Sequence, residues 1–325
     1  MIMANENKLR LRIARPFPED AVARFGDFAS LDIAYNDIEH ADILFGQPSI
    51  EEIGRCPSLK WLQITSAGAD GYARSPEAFE GIRLTTVSGA FGQSISEWTL
   101  ALALMLYKRL HLFRDNQNAC LWRDEGRQYS PEGKRVLVLG CGDLGTCIAR
   151  QFKHFHCHTV GLRRHLSLNA PTAFDEVYTL GALEEELSKA DIVIGALPET
   201  SQTKGLLNEA RLRLMRPEAI VINVGRGSLI DSDALADRLR SGALLGAALD
   251  VVSREPLPAE HPLWRIPQCI LTPHASGGSF GHLAATEKKI YEICRENLRR
   301  YLQNQPLLNE LDFETGYRKA ENRFE

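Results

Sequence analysis

A glycine-rich turn near the middle of the chain constrains the fold more than any other stretch. The letters "VLVLGCGDLG" place Gly140, Gly142 and Gly145 at G-x-G-x-x-G spacing, after an apolar run and before an amphipathic segment. Gly140 permits a tight turn, Gly142 has no Cβ to block a pyrophosphate, and Gly145 lets helix and strand approach closely. The amides of Asp143 and Leu144 would then face a phosphate at a helix N-terminus. The pattern predicts a dinucleotide-binding βα unit, and the alternative is a structural turn without a ligand.

Short β-rich runs alternate with helical segments on both sides of this turn, which is typical of parallel α/β layers. A chain of 325 residues also exceeds the size at which one hydrophobic core usually keeps growing. We therefore predict an α/β protein with two doubly wound parallel-sheet domains. Residues 1–98 and 283–325 would form a discontinuous, flavodoxin-like substrate domain, and residues 99–282 would form an inserted Rossmann cofactor domain.

The segment 94–117 is predicted to be one long helix with apolar residues on several faces. A helix of this kind must be buried on most of its faces. Packing between two domains, or against a second subunit, would bury it.

Composition and charge exclude several classes of partner. The net charge is −4 with acids and bases interspersed, so no concentrated basic face is available for nucleic acid. The longest apolar run, residues 98–107, is about half of what a membrane span needs. The seven cysteines are scattered, which indicates reduced thiols, and the N-terminus lacks the apolar core of a signal peptide. These features predict a cytoplasmic protein.

The second strand of the cofactor unit ends in an unusual basic pair. An NAD enzyme usually has an acidic residue near this strand end, where it accepts hydrogen bonds from the ribose hydroxyls. Here Arg163 and Arg164 follow the last glycine of the motif at that distance. A guanidinium cannot accept those bonds, but it donates well to a phosphate. The pair predicts the 2′-phosphate of NADP, with NAD less favoured, and the alternative is a solvated loop end.

A histidine-rich segment just before this strand invites a metal interpretation. His154, His156, Cys157 and His158 lie close together, but no carboxylate or second cysteine completes a tetrahedral set. We predict no metal site.

Three polar residues follow successive predicted strands at the edge where open α/β sheets bind ligands. They are Arg226 in "VGRG", Glu255 in "SREP" and His274 in "TPHAS". The guanidinium offers a planar double donor to the carboxylate and carbonyl of a 2-oxo acid. The imidazole can protonate the carbonyl oxygen as a hydride arrives at carbon, and the carboxylate can stabilise the imidazolium. Each residue alone is unremarkable at a surface, but together they predict hydride transfer.

The sequence resembles the D-isomer-specific 2-hydroxyacid dehydrogenases over nearly its whole length. The stretches that carry the resemblance are "LKWLQITSAGAD", "ISEWTLALALMLYKR", "VLVLGCGDLGTCIA", "ALPETSQTKGLLN", "VINVGRGSLID", "ALDVVSREPLP", "PLWRIPQCILTPH" and "LLNELDFETGY". The double arginine, "PETSQT" and "PLWRIP" are similar to the glyoxylate and hydroxypyruvate reductase branch that prefers NADPH. "SISEWT" departs from the family's more usual Ala-Glu-His type of string at the start of that helix.

The resemblance implies a role for each matching residue. Arg226 would bind substrate and act in catalysis, His274 would be the acid/base, and Glu255 its partner. The amides around Ala67 and Gly68 would hold the substrate carboxylate. Residues that would contact the cofactor are Leu197, Pro198, Thr203, Val224 and Asp250, the last at the nicotinamide carboxamide. The segment from Ser94 would lie at a homodimer interface, as in the family.

The predicted function is thus an NADP-dependent reduction of small 2-oxo acids to D-2-hydroxy acids. One alternative is a nucleotide-sensing regulatory protein, like the transcriptional corepressors that resemble these dehydrogenases, because one fold hosts many functions. A methyltransferase using the same glycine turn is a further alternative, but it explains neither "TPH" nor "VGRG".

Overall fold

The computed structural model describes residues 8–26, 28, 30–166 and 173–319. The chain divides into two compact units, one formed by Met1–Phe91 with Gly278–Glu325 and the other by Gly92–Gly277. The boundaries predicted from the sequence, after residues 98 and 282, lie later than these. The first boundary lies at Gly92 because the helix that begins there packs within the second unit from its first residue.

The first unit contains a parallel sheet with strands in the order β2-β1-β3-β4-β5, which is the flavodoxin-like order. Its elements are β1 (Leu9–Ile13), α1 (Ala21–Arg24), β2 (Leu31–Tyr35), β3 (Ile43–Phe45), α2 (Ile50–Gly54), β4 (Trp61–Gln63), α3 (Asp70–Ala73) and β5 (Arg83–Thr85), with 3₁₀ turns at Ile38–His40 and Pro76–Phe79. Ile43 and Phe45 pack into one hydrophobic cluster and Leu44 into another. Both faces of the sheet are therefore covered, as a parallel sheet requires.

The second unit contains a seven-stranded parallel sheet in the order β12-β11-β10-β9-β6-β7-β8. Its elements are α4 (Gly92–Tyr107), α5 (Leu110–Asn118), β6 (Arg135–Leu139), α6 (Asp143–His154), β7 (His158–Arg163), β8 (Glu176–Thr179), α7 (Leu183–Lys189), β9 (Ile192–Gly195), α8 (Glu209–Leu214), β10 (Ile220–Asn223), α9 (Ser232–Arg240), β11 (Gly246–Leu249) and β12 (Cys269–Leu271), with 3₁₀ turns at Leu180–Ala182, Gly227–Leu229 and Pro262–Arg265. The order reverses between β6 and β9, where doubly wound sheets bind ligands. Two parallel-sheet α/β domains are therefore confirmed.

The predicted long helix is wrong in its extent, because it is two helices, α4 and α5. Arg109 between them has a left-handed backbone at φ 55°, which ends the first helix. Residues Leu102, Leu106 and Tyr107 pack with the sheet residues Ile220 and Ile222 in one hydrophobic cluster. Burial within the second unit therefore accounts for much of the apolar content of α4.

The contact between α4 and α6 is unusually close at the start of α4. A Cβ added to Gly92 would lie 2.6 Å from Cys147 Sγ on α6, so a side chain at residue 92 would require the Cys147 side chain to shift.

The chain returns to the first unit through α10 (Ala284–Leu302), and β13 (Leu311–Asp312) pairs with β14 (Tyr317–Arg318). Ile290, Ile293 and Leu298 of α10 pack in the cluster that contains Leu11 and Phe45. The predicted crossover helix thus covers one face of the first sheet. Within the described ranges, no helix combines the length and apolar character needed to cross a bilayer.

Candidate active site

The glycine-rich turn joins β6 to α6 with close backbone contact. Gly140 has φ 114°, a conformation that favours glycine, and its amide donates to the carbonyl of Leu162 at 2.9 Å. A Cβ on Gly145 would lie 1.8 Å from the carbonyl oxygen of Gly140, so no side chain fits there. Asp143 and Leu144 open α6, where the first amides have no acceptor within the helix. The turn thus has the geometry expected for a pyrophosphate cradle.

The predicted basic pair lies beside this turn. Arg163 is the last residue of β7 and half-buried, and Arg164 follows it in the exposed bend. Burial raises the pKa of the Cys141 thiol to about 11, and the positive charge of Arg163 opposes that rise. Leu162, the residue before Arg163, accepts from the amide of Gly140 at 2.9 Å, so the end of β7 lies next to the glycine-rich turn.

The loop after β9 approaches the same turn. A Cβ on Gly140 would lie 3.3 Å from Cδ2 of Leu197, so the two residues are neighbours. Thr203 donates its hydroxyl hydrogen to the carbonyl of Pro198 at 2.7 Å, and its oxygen accepts from the amide of Thr200 at 2.9 Å. The structure thus brings Leu197, Pro198 and Thr203 into one closed loop next to Gly140.

Arg226 stands in a tight loop after β10. Asn223, the last residue of the strand, is fully buried, and its side-chain amide donates to the carbonyl of Arg226 at 3.0 Å. Its oxygen accepts from the amide of Gly225 at 3.2 Å, and Arg226 Nη1 donates to the carbonyl of Gly225 at 2.8 Å. Val224 is 5 % exposed and packs in the core, so its side chain offers little surface to a ligand.

Glu255 and His274 form a direct pair. His274 Nδ1 and Glu255 Oε2 are 2.9 Å apart, and Glu255 Oε1 accepts from the amide of Val252 at 3.2 Å. The His274 side chain is 54 % exposed and that of Glu255 is 40 % exposed, so both can meet a small molecule. When Nδ1 donates to the carboxylate, Nε2 is the ring nitrogen left to face a reactant.

The loops that carry Arg226 and His274 follow β10 and β12, which lie on either side of β11 in the sheet. Because adjacent strands lie about 4.8 Å apart, the ends of these two strands are separated by about 10 Å. Asp250, which follows β11, lies between them and is buried. The sheet therefore places a guanidinium, a carboxylate–imidazole pair and the glycine turn along one edge.

Ala67 and Gly68 follow β4 in the first unit. The carbonyls of their loop are turned inward: Ser66 O accepts from the amide of Val87 at 3.0 Å, and Gly68 O accepts from Ser66 Oγ at 2.7 Å. The carbonyl of Ala67 accepts from Ser88 Oγ at 3.3 Å. Within the described chain, the amides of Ala67 and Gly68 donate to no protein acceptor, which suits an anion-binding loop.

The histidine-rich segment has another use. His158 Nε2 and Glu176 Oε1 are 2.5 Å apart, and Glu176 also accepts two hydrogen bonds from Arg135. Hydrogen bonds from Arg135, Tyr178 and His158 lower the pKa of Glu176 to about 2. In the described part of the chain, no group of three or more His, Cys, Asp or Glu side chains could hold a metal ion.

Asn223 supports the site, but it was not singled out from the sequence, and neither was the hydrogen bond between Ser94 and Ser276. Asn223 had one available signal, since an amide side chain ends the otherwise apolar run "AIVIN". The Ser94–Ser276 hydrogen bond had no signal, because it spans 182 positions in the sequence.

Comparison with known proteins places this site in a family. The model for the NAD-binding domain of D-isomer specific 2-hydroxyacid dehydrogenases matches residues 100–276. The chain belongs to the D-isomer specific 2-hydroxyacid dehydrogenase family. The predicted family resemblance is therefore confirmed, and with it the general activity of an oxidoreductase with a nicotinamide dinucleotide domain.

Individual relatives cover most of the chain. A glyoxylate reductase from Thermofilum pendens is 30 % identical over 267 residues, which cover 78 % of this chain and 75 % of that protein. The structure of a family member from Aeromonas salmonicida matches with a TM-score of 0.83 at 32 % identity, covering 94 % of this chain and 99 % of that one. Another, from Xanthobacter autotrophicus in complex with NADPH and MES, matches with a TM-score of 0.81 at 27 % identity, covering 95 % and 99 %.

Proposed function

We propose that this dehydrogenase reduces small 2-oxo acids, such as glyoxylate, hydroxypyruvate and pyruvate, to D-2-hydroxy acids with NADPH. The observation that carries the proposal is the hydrogen-bonded Glu255–His274 pair at 2.9 Å, exposed at the edge of the sheet that holds the glycine turn. The similarity to a glyoxylate reductase supports the substrate class, and the double arginine supports the cofactor.

His274 is the proposed acid/base. NADPH, when bound, supplies the hydride that adds to the carbonyl carbon. The imidazolium of His274 donates its Nε2 proton to the carbonyl oxygen, so a 2-hydroxy acid forms and the imidazole is left neutral. The carboxylate of Glu255, bonded to Nδ1, fixes the orientation of the ring. In the reverse direction, the neutral ring accepts the hydroxyl proton.

Arg226 is proposed to bind and polarise the substrate. Its guanidinium carries five N–H donors, and a planar fork suits a carboxylate next to a carbonyl oxygen. Charge that develops on that oxygen during hydride addition is stabilised by a fixed cation. The amides of Ala67 and Gly68 are proposed to hold the substrate carboxylate.

The cofactor is proposed to lie along the glycine turn. Gly140 and Gly145 allow the tight turn and the close helix–strand contact, Gly142 has no Cβ to block the pyrophosphate, and the amides of Asp143 and Leu144 would donate to it. Further proposed cofactor contacts are Leu197, Pro198, Thr203, Val224 and Asp250. Arg163 and Arg164 would meet the 2′-phosphate of NADP because they stand at the end of β7 beside this turn.

Arg163→Asp should reverse the cofactor preference. We expect the Kd for NADPH to rise about 100-fold, because a charge-assisted bidentate contact is replaced by repulsion, while the Kd for NADH changes less than about threefold. Fluorescence titration with each cofactor measures both constants. Arg150→Asp, an exposed arginine on α6, makes the same charge change and should alter neither Kd. Equal weakening of both cofactors by Arg163→Asp would contradict the assignment.

We also propose that the protein is a homodimer. The support is an exposed apolar strip on α5 and the segment after it: Leu110 and Leu121 are each 50 % exposed, and Trp122 is wholly exposed. Exposed clusters of large apolar side chains commonly mark protein interfaces.

Trp122→Glu should weaken the dimer by at least about 30-fold, as expected for an aromatic residue central to an interface. Sedimentation velocity over a concentration series measures the change. Trp264→Glu is the matched control, since that tryptophan is also exposed in the second unit. A wild-type monomer at micromolar concentration would contradict the homodimer. A dimer unaffected by Trp122→Glu would contradict the placement of the interface at α5 and the segment after it.

The product's handedness tests the proposed reaction. With NADPH, we expect pyruvate and hydroxypyruvate to give the D-2-hydroxy acid, detected by chiral chromatography. Formation of the L product would contradict the proposal. Binding of NADPH without product from any 2-oxo acid would favour the nucleotide-sensing alternative.

A further inference from the structure

The carboxylate of Asp250 accepts four hydrogen bonds from its own chain. Oδ1 accepts from Thr272 Oγ1 at 2.6 Å and from the amide of Ala275 at 2.9 Å. Oδ2 accepts from the amide of Ser276 at 3.1 Å and from Ser276 Oγ at 2.5 Å. A carboxylate offers about four acceptor positions, so those of Asp250, which is 2 % exposed, are all taken.

These bonds hold the backbone on both sides of His274. The amide of His274 donates to the carbonyl of Asp250 at 2.8 Å. Thr272, before His274, and Ala275, after it, both donate to the carboxylate of Asp250. His274 itself has φ 54°, a left-handed conformation that is unfavourable for a side-chain-bearing residue. Such a conformation persists only where its surroundings impose it. The ring of donors around Asp250 is the part of the structure that does so.

Ser276 connects this ring to a helix. Its amide and hydroxyl both donate to Asp250, and its carbonyl accepts from Ser94 Oγ at 2.7 Å. Ser94 lies in the first turn of α4, a helix whose inner face is packed in the core of the second unit. Ser276 is thus anchored on one side to a buried carboxylate and on the other to a rigid helix.

We propose that Ser276, anchored by Ser94, is a positioning residue that sets the direction of the His274 imidazole through Asp250. This inference rests on the proposed role of His274 as acid/base. It gives Asp250 a structural role in addition to the carboxamide contact implied by the family resemblance. Its oxygens already serve the loop, and any cofactor amide would have to share one of them.

Ser276→Ala tests the inference kinetically. Removing the hydroxyl takes away one of the four hydrogen bonds to the Asp250 carboxylate and loosens the loop that carries His274. We expect kcat to fall about 10-fold, the change typical of one charge-assisted hydrogen bond, with the KM for glyoxylate altered less than threefold. The primary deuterium isotope effect with 4-deuterated NADPH should increase, since chemistry becomes more rate-limiting. A merely destabilised protein would lose active enzyme without a change in isotope effect.

Ser94→Ala is the second, milder variant, and it should change kcat in the same direction. Combined with Ser276→Ala, its effect should be less than additive, because both hydroxyls act through one loop. Ser96→Ala is the matched control, because the Ser96 hydroxyl donates to the carbonyl of Gln93 within the same helix and not to the loop. Ser96→Ala should leave kcat and the isotope effect unchanged.

Hydrogen exchange tests the loop independently of turnover. In wild type without substrate, the amides of Ala275 and Ser276 should exchange slowly, and both Ser276→Ala and Ser94→Ala should accelerate them at least 10-fold. If wild type reduces no 2-oxo acid, the proposed function fails, yet this exchange result still decides whether Ser276 holds the loop. Unchanged exchange, or equal kinetic effects of Ser276→Ala and Ser96→Ala, would overturn the inference.

Discussion

His274→Gln is expected to lower kcat about 1,000-fold with glyoxylate and NADPH, within the range typical of a lost general acid. Glutamine retains hydrogen-bonding groups but has no transferable proton near neutral pH. His274 is the histidine that follows β12 and pairs with Glu255. The Kd for NADPH should change less than threefold, because the imidazole is not part of the glycine turn. Initial rates and fluorescence titration measure the two quantities.

His154→Gln provides the control for this experiment. That histidine lies in the last turn of α6, away from the loops after β10, β11 and β12. The rate of this variant should equal that of wild type. Glu255→Gln should lower kcat by an intermediate factor of about 30, because the ring stays but its charged partner is lost. A His274→Gln enzyme that keeps more than a tenth of wild-type kcat would contradict the assignment of the acid/base.

Arg226→Gln is expected to lower kcat/KM about 1,000-fold, since two charge-assisted hydrogen bonds and the nearby positive charge disappear together. Both parameters should move: KM rises because the substrate carboxylate is bound less well, and kcat falls because charge on the carbonyl oxygen is less stabilised. Steady-state kinetics with glyoxylate separate the two.

Arg226→Lys separates the contribution of the planar bidentate hydrogen bonds from that of the positive charge. Lysine keeps the charge but cannot form a planar bidentate contact, so we expect it to recover no more than about a tenth of the lost activity. Arg240→Gln is the control, an exposed arginine of α9 paired with Asp237 at 3.0 Å, and it should leave kcat/KM unchanged. An Arg226→Lys enzyme with wild-type kinetics would contradict bidentate binding.

Much of the fold follows from local patterns in the sequence. The glycine spacing after an apolar strand requires a close βα turn, and the structure has one, with Gly145 against the carbonyl of Gly140. Alternating apolar strands and helices predict parallel sheets covered on both faces, and these are present in both units. The position of Glu255 and His274 after neighbouring strands also predicts that they approach each other, as observed.

Other features depend on contacts that no local pattern reveals. The break between α4 and α5 comes from the left-handed Arg109, a residue type with no special preference for that conformation. Gly92, where the second unit begins, lies against Cys147, far along the chain. The donors around Asp250 come from Thr272, Ala275 and Ser276. Such hydrogen bonds form only after the strands and helices have packed, so spacing alone does not predict them.

The most direct test of the proposed function is the initial rate of NADPH oxidation by the wild-type protein with glyoxylate, measured alongside NADH. We predict turnover with NADPH and a kcat/KM for NADPH at least about 10-fold above that for NADH, as one additional charge-assisted phosphate contact would give. No oxidation of NADPH with glyoxylate, hydroxypyruvate or pyruvate would contradict the reaction, and a preference for NADH would contradict the assignment of Arg163 and Arg164.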